Sequence, residues 1–306
     1  MASKKYMLIL GLLALVSFSY SQNSGQGVAE WKDSSLIPPS RMAQHNEFVN
    51  NQYIFPSKPR SQWEVGLKVG TPNVGGDVQA NFPTFGFGVH ARKALGYIVS
   101  LRAEYFNGTA TGLSYKPNNN YAYNTAWTST GYNKTEMVYY NYKTKINDLS
   151  MQMLFNFSNI RFHRAEPKFG LYAITGVGLT SYTANIDALN AGGQKYNFSS
   201  ISGGVYANRN DTKTALKALL DGTYETPGEK VQGGSSKFKL STTLGIGAAF
   251  KLSKKVNIAI EDRLTMLKDD LLDGQRYSPY PVGNPAFTPQ NDSYNFFSVG
   301  VNINIL

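Results

Sequence analysis

Residues 294–306 read YNFFSVGVNINIL, and their alternation decides the fold. Phe297, Val299, Val301, Ile303 and Ile305 fall on one face and Ser298, Gly300, Asn302 and Asn304 on the other, the period of two that marks a strand. The apolar face has to be buried, in a core or in lipid. The second face chooses between them: a soluble sheet shows Lys, Glu and Thr to water, whereas small neutral Gly, Ser and Asn suit the cramped inside of a narrow barrel. The stretch reads as the closing strand of a transmembrane β-barrel.

Working back from it, the same alternation recurs. Residues 62–70 set Trp63, Val65, Leu67 and Val69 against Glu64, Gly66, Lys68 and Gly70, and residues 84–93 set Phe85, Phe87, Val89 and Ala91 against Gly86, Gly88, His90 and Arg92. Residues 97–106 place Tyr97, Val99, Leu101 and Tyr105 opposite Ser100, Arg102 and Glu104. A fourth strand is expected over about 137–157, with Leu149, Met151, Met153 and Phe155 opposite Asp148, Ser150, Gln152 and Asn156. A fifth, 169–182, sets Leu171, Ala173, Val177 and Leu179 against Tyr172, Gly176 and Gly178. Leu240, Leu244, Ile246 and Phe250 mark a sixth strand, and Val256, Ile258 and Ile260 a seventh with Glu261 and Arg263 on its other face. The expected fold is all-β, an eight-stranded antiparallel up-and-down transmembrane barrel. Its connections alternate long, short, long, moderate, long, short, long, with long loops outside the cell and short turns in the periplasm.

Charges test the face assignment. Glu64, Lys68, His90, Arg92, Arg102, Glu104, Asp148, Glu261 and Arg263 all lie opposite the apolar face and are expected to form a barrel-interior charge network. Lys68, Arg102, Glu64 and Glu104 are expected to pair and plug the lumen, because an eight-stranded barrel is just wide enough for side chains to fill and a lone buried charge is expensive. Asp262 breaks the rule by following Ile260 in the apolar register, so a bulge or a place beyond the membrane edge is expected there.

Composition supports export. Lys4 and Lys5, an apolar run over 7–18, and Ser19 and Ser21 before Gln22 form a secretory signal peptide, too short to span a bilayer, with cleavage after Ser21. Residues 22–61, with Pro38, Pro39, Pro56 and Pro59, read as a non-periodic periplasmic leader, and 62–306 as the outer-membrane barrel. The chain has no cysteine, hence no disulfide and no acylated-cysteine anchor. Its net charge of +10 comes from scattered Lys and Arg, which with an export signal argues against nucleic acid. The 20 Tyr and 17 Phe are expected where barrel walls meet lipid headgroups.

Catalytic chemistry has little to stand on. The three histidines fall in the leader (His45), inside strand two (His90) and in a periplasmic connection (His163), none at the external rim, so no enzyme is expected. Residues 268–275, KDDLLDGQ, have the composition of a metal loop without its alternating oxygen spacing, and no metal or cofactor is expected. A helical segment over 212–220 in the third loop is expected to cap the barrel mouth or to dock a partner.

The stretches ARKALGYIVSLRAEY (91–105), LKALLDGTYETPGE (216–229), GAAFKLSKKVNIAIEDRLT (247–265), KDDLLDGQRY (268–277) and DSYNFFSVGVNINI (292–305) resemble the N-terminal barrel of OmpA-family outer-membrane proteins from Bacteroidetes bacteria. The resemblance covers about residues 50–306 and implies an eight-stranded barrel in the outer membrane of a Gram-negative bacterium. Such proteins continue into calcium-binding repeats and a domain that grips peptidoglycan through an Asp and an Arg. The sequence stops at Leu306, as expected either of a barrel-only member or of a portion of something longer, and peptidoglycan binding is not carried over because the residues that perform it are not in it. The expected function is that of a structural outer-membrane barrel, an accessory subunit of a larger assembly in one version. Its expected partners are outer-membrane lipid, lipopolysaccharide and other outer-membrane proteins. The alternative is a small-solute or ion channel, and the fold alternative is a soluble lipid-carrying barrel.

Overall fold

The computed structural model describes residues 34–58, 63–96, 98–121, 123–133, 136–157, 169–229, 238–253, 256–278, 287–289 and 291–305. The expected signal peptide lies outside them, as do Tyr97 and the connection carrying His163. The chain divides into two compact units, residues 1–57 with 162–166, and residues 58–161 with 167–306. In the first, Ser34–Leu36 and Pro39–Arg41 are short 3₁₀ turns and Met42–Val49 is a helix, α1. Pro39 sits at the start of its turn, where a missing N–H costs nothing and φ is preset. A helix of two turns is too short for a 3.6-residue period to show in polar sequence, which is why the leader reads as non-periodic.

The second unit is built on eight long strands: β1 (Trp63–Gly75), β2 (Phe85–Ala94), β3 (Val99–Leu113), β4 (Asn141–Asn156), β5 (Phe169–Ile186), β6 (Lys239–Lys251), β7 (Val256–Leu267) and β8 (Ser293–Ile305). Each pairs antiparallel with the next, and β8 returns to β1 from Trp63↔Ile305 to Gly75↔Ser293, which closes the sheet. The fold is therefore the expected closed, up-and-down barrel. Two helical segments, α2 (Thr125–Thr128) and α3 (Arg209–Leu219), lie in the long loops, and a two-residue strand, Thr226–Pro227, pairs with the end of β5.

Register fixes the geometry of the wall. The line of partners Glu64, Arg92, Arg102, Gln152, Gly176, Thr243, Thr265, Tyr294 comes back to β1 at Val74, a stagger of 74 − 64 = 10 residues. With a rise of ~3.3 Å per residue and strands ~4.8 Å apart, that stagger tilts the strands by about 40°. Along the barrel axis each residue then climbs ~2.5 Å, and each step to the next paired strand ~3 Å. Gly70 sits where this coiling brings β1 against β8. A Cβ there would collide with the Phe297 carbonyl oxygen, and backbone cannot yield, so the position admits only glycine.

Several strands outrun their expected ends at the long-loop side. β1 continues past residue 70, β3 past 106 and β5 past 182, while β4 begins at Asn141 instead of near 137. The reason is an inversion of polarity. Above the apolar band, inward Val74, Ala110, Ile146 and Ile186 are buried, while outward Thr111 pairs with Lys143 and Lys145 with Thr183. The alternation continues with its faces exchanged, and a reading that follows one face stops at the exchange.

At Asp262 the bulge that was one of the two expectations is absent. The register runs through it without a bulge, Ile246↔Asp262 and Asp262↔Phe297, and Leu264 and Met266 follow it on the exposed outward face. A hydrogen bond from Asn295 Nδ2 to Asp262 Oδ1, at 2.6 Å, supports the carboxylate where it stands.

Candidate functional site

The wall is apolar outside and charged inside. Leu67, Leu240, Leu149, Val177 and Ile246 are all more than half exposed on the outer face, while Lys68, Arg102, Glu104, Asp148, Glu261 and Arg263 are buried within. All nine side chains expected inside the barrel lie on its inner face, Arg92 alone with more than a tenth of its side chain exposed among those in ion pairs.

They do not form one network. At the short-turn end Arg92 Nη2 donates to Glu64 Oε2 at 2.5 Å, and His90 Nε2 stands 3.8 Å from Glu64 Oε1. Glu64 thus belongs with Arg92, and not with Lys68 and Arg102 as expected. At mid-depth Lys68 Nζ donates to both Glu104 Oε2 and Glu261 Oε2, each at 2.6 Å. Arg102 forks onto Glu261 at 2.5 and 3.1 Å, its Nε donates to Gln152 Oε1 at 2.8 Å, and the Tyr172 hydroxyl donates to Glu261 Oε1 at 2.7 Å. Arg263 Nη1 donates to Glu104 Oε1, and its guanidinium lies 5.4 and 5.6 Å from the rings of Phe106 and Phe296. Three cations share two carboxylates, and the paired geometry offsets their desolvation. Gln152 and Tyr172, placed on the inner face by alternation but left out of the expected network, complete it. Asp148 forms a third, separate layer, accepting from Thr180 Oγ1 at 2.7 Å and Ser241 Oγ at 3.2 Å.

Above the mid-depth ion cluster, level with Asp148, the lumen is filled by rings. Phe106 packs on Tyr294 and Phe296, and the same apolar core continues into the long loops through Ile146, Leu272, Tyr140, Trp127, Tyr132 and Phe198. Trp127, fully buried on α2, meets Tyr121, Tyr132 and Tyr140 at ring distances of 5.1–6.0 Å. Side chains stitch the loops together: Asn124 Nδ2 donates to Gly274 O, the Tyr132 hydroxyl to Ala188 O, and Tyr139 to Ile201 O. Among the described residues the tyrosines expected at the lipid boundary are therefore largely placed inside this loop dome, because a ring offers area to bury and, at Tyr121, Tyr132 and Tyr139, a hydroxyl that donates to a loop carbonyl. In α3, Thr212 and Leu216 are the buried positions, and Leu216 joins the dome core.

The acidic segment 268–275 also serves loop structure. Asp273 accepts from the backbone N–H groups of Val78 and Gln275, Asp292 accepts from that of Leu272, and Asp269 accepts from the Tyr182 hydroxyl. Burial pushes the Asp273 carboxyl up to about 7 and, with the charge of Asp273 beside it, that of Asp292 up to about 9. A second carboxylate group, Asp187, Asp221 and Glu225, brings oxygens within 4.8 Å of one another in the third loop, the spacing that could hold a cation. Each already accepts from protein donors: Asp187 from Tyr196, Asn141 and Gly222, Asp221 from Thr223, and Glu225 from Ala188 and Leu189.

The raised carboxyls give a pH dependence with a definite sign. Their folded values lie above the unfolded ~3.9, so their contribution to loop stability is complete below about pH 4 and is lost as pH rises through about 7 and then about 9. Amide exchange at Val78 and Leu272, corrected for intrinsic rates, is expected to quicken across that window. Asp292→Asn, which keeps an acceptor oxygen, is expected to flatten the response.

These features define a class of protein: an eight-stranded barrel with an inverted wall, a plugged lumen and a closed loop dome. No family model matches the chain, and no curated protein matches it in sequence. Solved structures do match in strand arrangement. Neisserial surface protein A is 8% identical, with 79% of this chain and 96% of that chain covered at a TM-score of 0.38. Ail, the attachment invasion locus protein of Yersinia pestis, is 10% identical, covering 80% and 97% at 0.36. A major outer membrane protein from Thermus thermophilus is 11% identical, covering 80% and 99% at 0.39. Identities this low and scores below 0.5 bear on neither family nor function.

Proposed function

We propose that this chain is a structural barrel of a Gram-negative outer membrane, non-conducting and non-enzymatic, that serves as an accessory subunit of a larger membrane assembly. One observation carries the reading: the wall is inside out relative to a soluble protein, with exposed aliphatic side chains around the whole barrel and ion pairs in its middle. Between Trp63 and Ile303 at one edge and Asn107, Asn147 and Asn295 at the other, the apolar band stands roughly 20–25 Å tall, the height of an outer-membrane hydrocarbon layer. A soluble lipid carrier would need the reverse, an apolar lumen. The reading of residues 1–21 as a signal peptide and the resemblance to OmpA-family barrels of Bacteroidetes bacteria support the same location. The long-loop dome then faces the cell exterior, toward lipopolysaccharide, and the short turns face the periplasm.

The channel alternative requires a water path through the Lys68–Glu104–Glu261–Arg102 layer and the Phe106–Tyr294–Phe296 layer, both packed shut. The location is tested by extraction. The protein is expected to stay with membranes in high salt and alkaline carbonate, to leave only in detergent, and to change its gel mobility on boiling. Release by salt alone would contradict the reading. The belt itself is tested by Leu67→Arg, which puts a cation on the exposed outer face and is expected to cost the folded barrel about 2–4 kcal/mol in a urea titration in liposomes.

A further inference from the structure

Among the described residues, Asp262 is the one acid on the outward face of the apolar band. By strand register it lies level with Lys68 and Glu104, near the middle of the band. Ile260 and Leu264 flank it, Ile246 and Phe297 are its register partners, and Asn295 supplies a single hydrogen bond. An ionised carboxylate accepts about four hydrogen bonds, and hydrocarbon donates none. Beside Asp262 the wall is also concave. A shallow, open recess of about 550 Å³ runs over the wall from β4 to β8, lined by Phe155, Ala173, Thr175, Ile246, Asp262 and Leu264.

We propose that this recess is an intramembrane docking surface for a second, different transmembrane protein that presents an Arg or Lys side chain to Asp262. The proposal rests on the membrane reading above and names the surface through which the subunit would assemble. Charge complementarity selects the occupant. A second copy of this chain would set Asp262 against Asp262 across a two-fold contact. Among the described strand residues its outward lysines, Lys93, Lys143 and Lys145, lie at the rims, Lys93 beside Trp63, Lys143 paired with Thr111 and Asn185, and Lys145 with Thr109 and Thr183, not at mid-depth. Lipid head groups stand about half the band height away, on the order of 12 Å, too far for an ammonium to reach the carboxylate. A partner's basic side chain reaches it, and the small Ala173 and Thr175 make room for that partner's wall.

The test is site-specific photocrosslinking in the native cell. A photoreactive residue is placed at Thr175 or Leu264 within the recess, and at Phe87 or Val89 on β2 across the barrel. Adducts are expected from the first pair only. The linked peptide should map to a transmembrane segment of one other protein that carries an Arg or Lys. Asp262→Leu should lower adduct yield at least tenfold, while the same variant, purified alone, should unfold at a higher urea concentration than the parent because a lipid-facing carboxylate is gone. Stability that rises while assembly is lost separates docking from a folding role. Adducts with lipid alone, with a second copy, or equally from β2 would overturn the proposal, as would undiminished adducts in Asp262→Leu. A protein that leaves the membrane in carbonate sinks the membrane reading instead; one that stays without forming adducts sinks only the docking surface.

Discussion

Replacing Glu261 with Gln is expected to destabilise the barrel by about 3–5 kcal/mol. Glu261 accepts from Lys68, from both ends of the Arg102 fork and from the Tyr172 hydroxyl, all on side chains withdrawn from solvent. The amide keeps one acceptor but brings two N–H groups toward Arg102 and Lys68, and Glu104 is left as the one carboxylate facing three cations. Removing one partner from a buried ion cluster costs more than the cluster is worth as a whole, since the remaining charges stay desolvated without a counter-ion. Urea titration of the heat-modifiable folded band in liposomes reads the loss. The double variant Glu261→Gln with Arg102→Met is expected to recover much of it, because it removes a cation along with the carboxylate. An unchanged midpoint in Glu261→Gln would mean that water already reaches the layer, and would revive the channel reading.

Trp127→Ala is expected to have a comparable cost, about 3–5 kcal/mol, at a different place. Trp127 is 0% exposed and its indole is surrounded by Tyr121, Tyr132 and Tyr140. The cavity opens in the dome, where contacts join loops to one another, and not in the wall, where backbone ladders join strands. The loss should therefore show as local opening. External protease is expected to cut within 114–140 and 187–229 while the boiled and unboiled gel mobilities of the remaining barrel stay distinct. Loss of the folded barrel together with the dome would show that the two are one cooperative unit.

What could be read from residue order follows from where the physics is local. Alternation such as Val65–Gly66–Leu67–Lys68 reports an apolar outer face and a lumen inside at every second residue, so strands and the inward charges were legible. The upper halves of β1, β3 and β5 were not, because Val74, Ala110 and Ile186 turn apolar inward as the outer face turns polar. The partition of charges was illegible for another reason: Glu64 and Glu104 alternate identically, and only the pairing register separates them, setting Glu64 directly opposite Arg92 across β1 and β2 while closure of the barrel brings Glu104 to Lys68 and Arg263. The dome left no period at all. Its tyrosines come from separate loops, and what joins Tyr132 to Ala188, or Asn124 to Gly274, is closure of the barrel beneath them. Asp262 stood out in sequence, but its meaning as an outward group at mid-depth required the unbroken register.

The central claim is that the lumen is closed, and single-molecule recording in a planar bilayer tests it most directly. Purified parent protein, its insertion verified by the heat-modifiable band, is expected to give no steady conductance at either polarity, since the Lys68–Glu104–Glu261–Arg102 layer and the ring layer above it span the bore. A steady, reproducible conductance abolished by changing Arg102 or Glu104 would contradict the account and make the inner charges the lining of a pore.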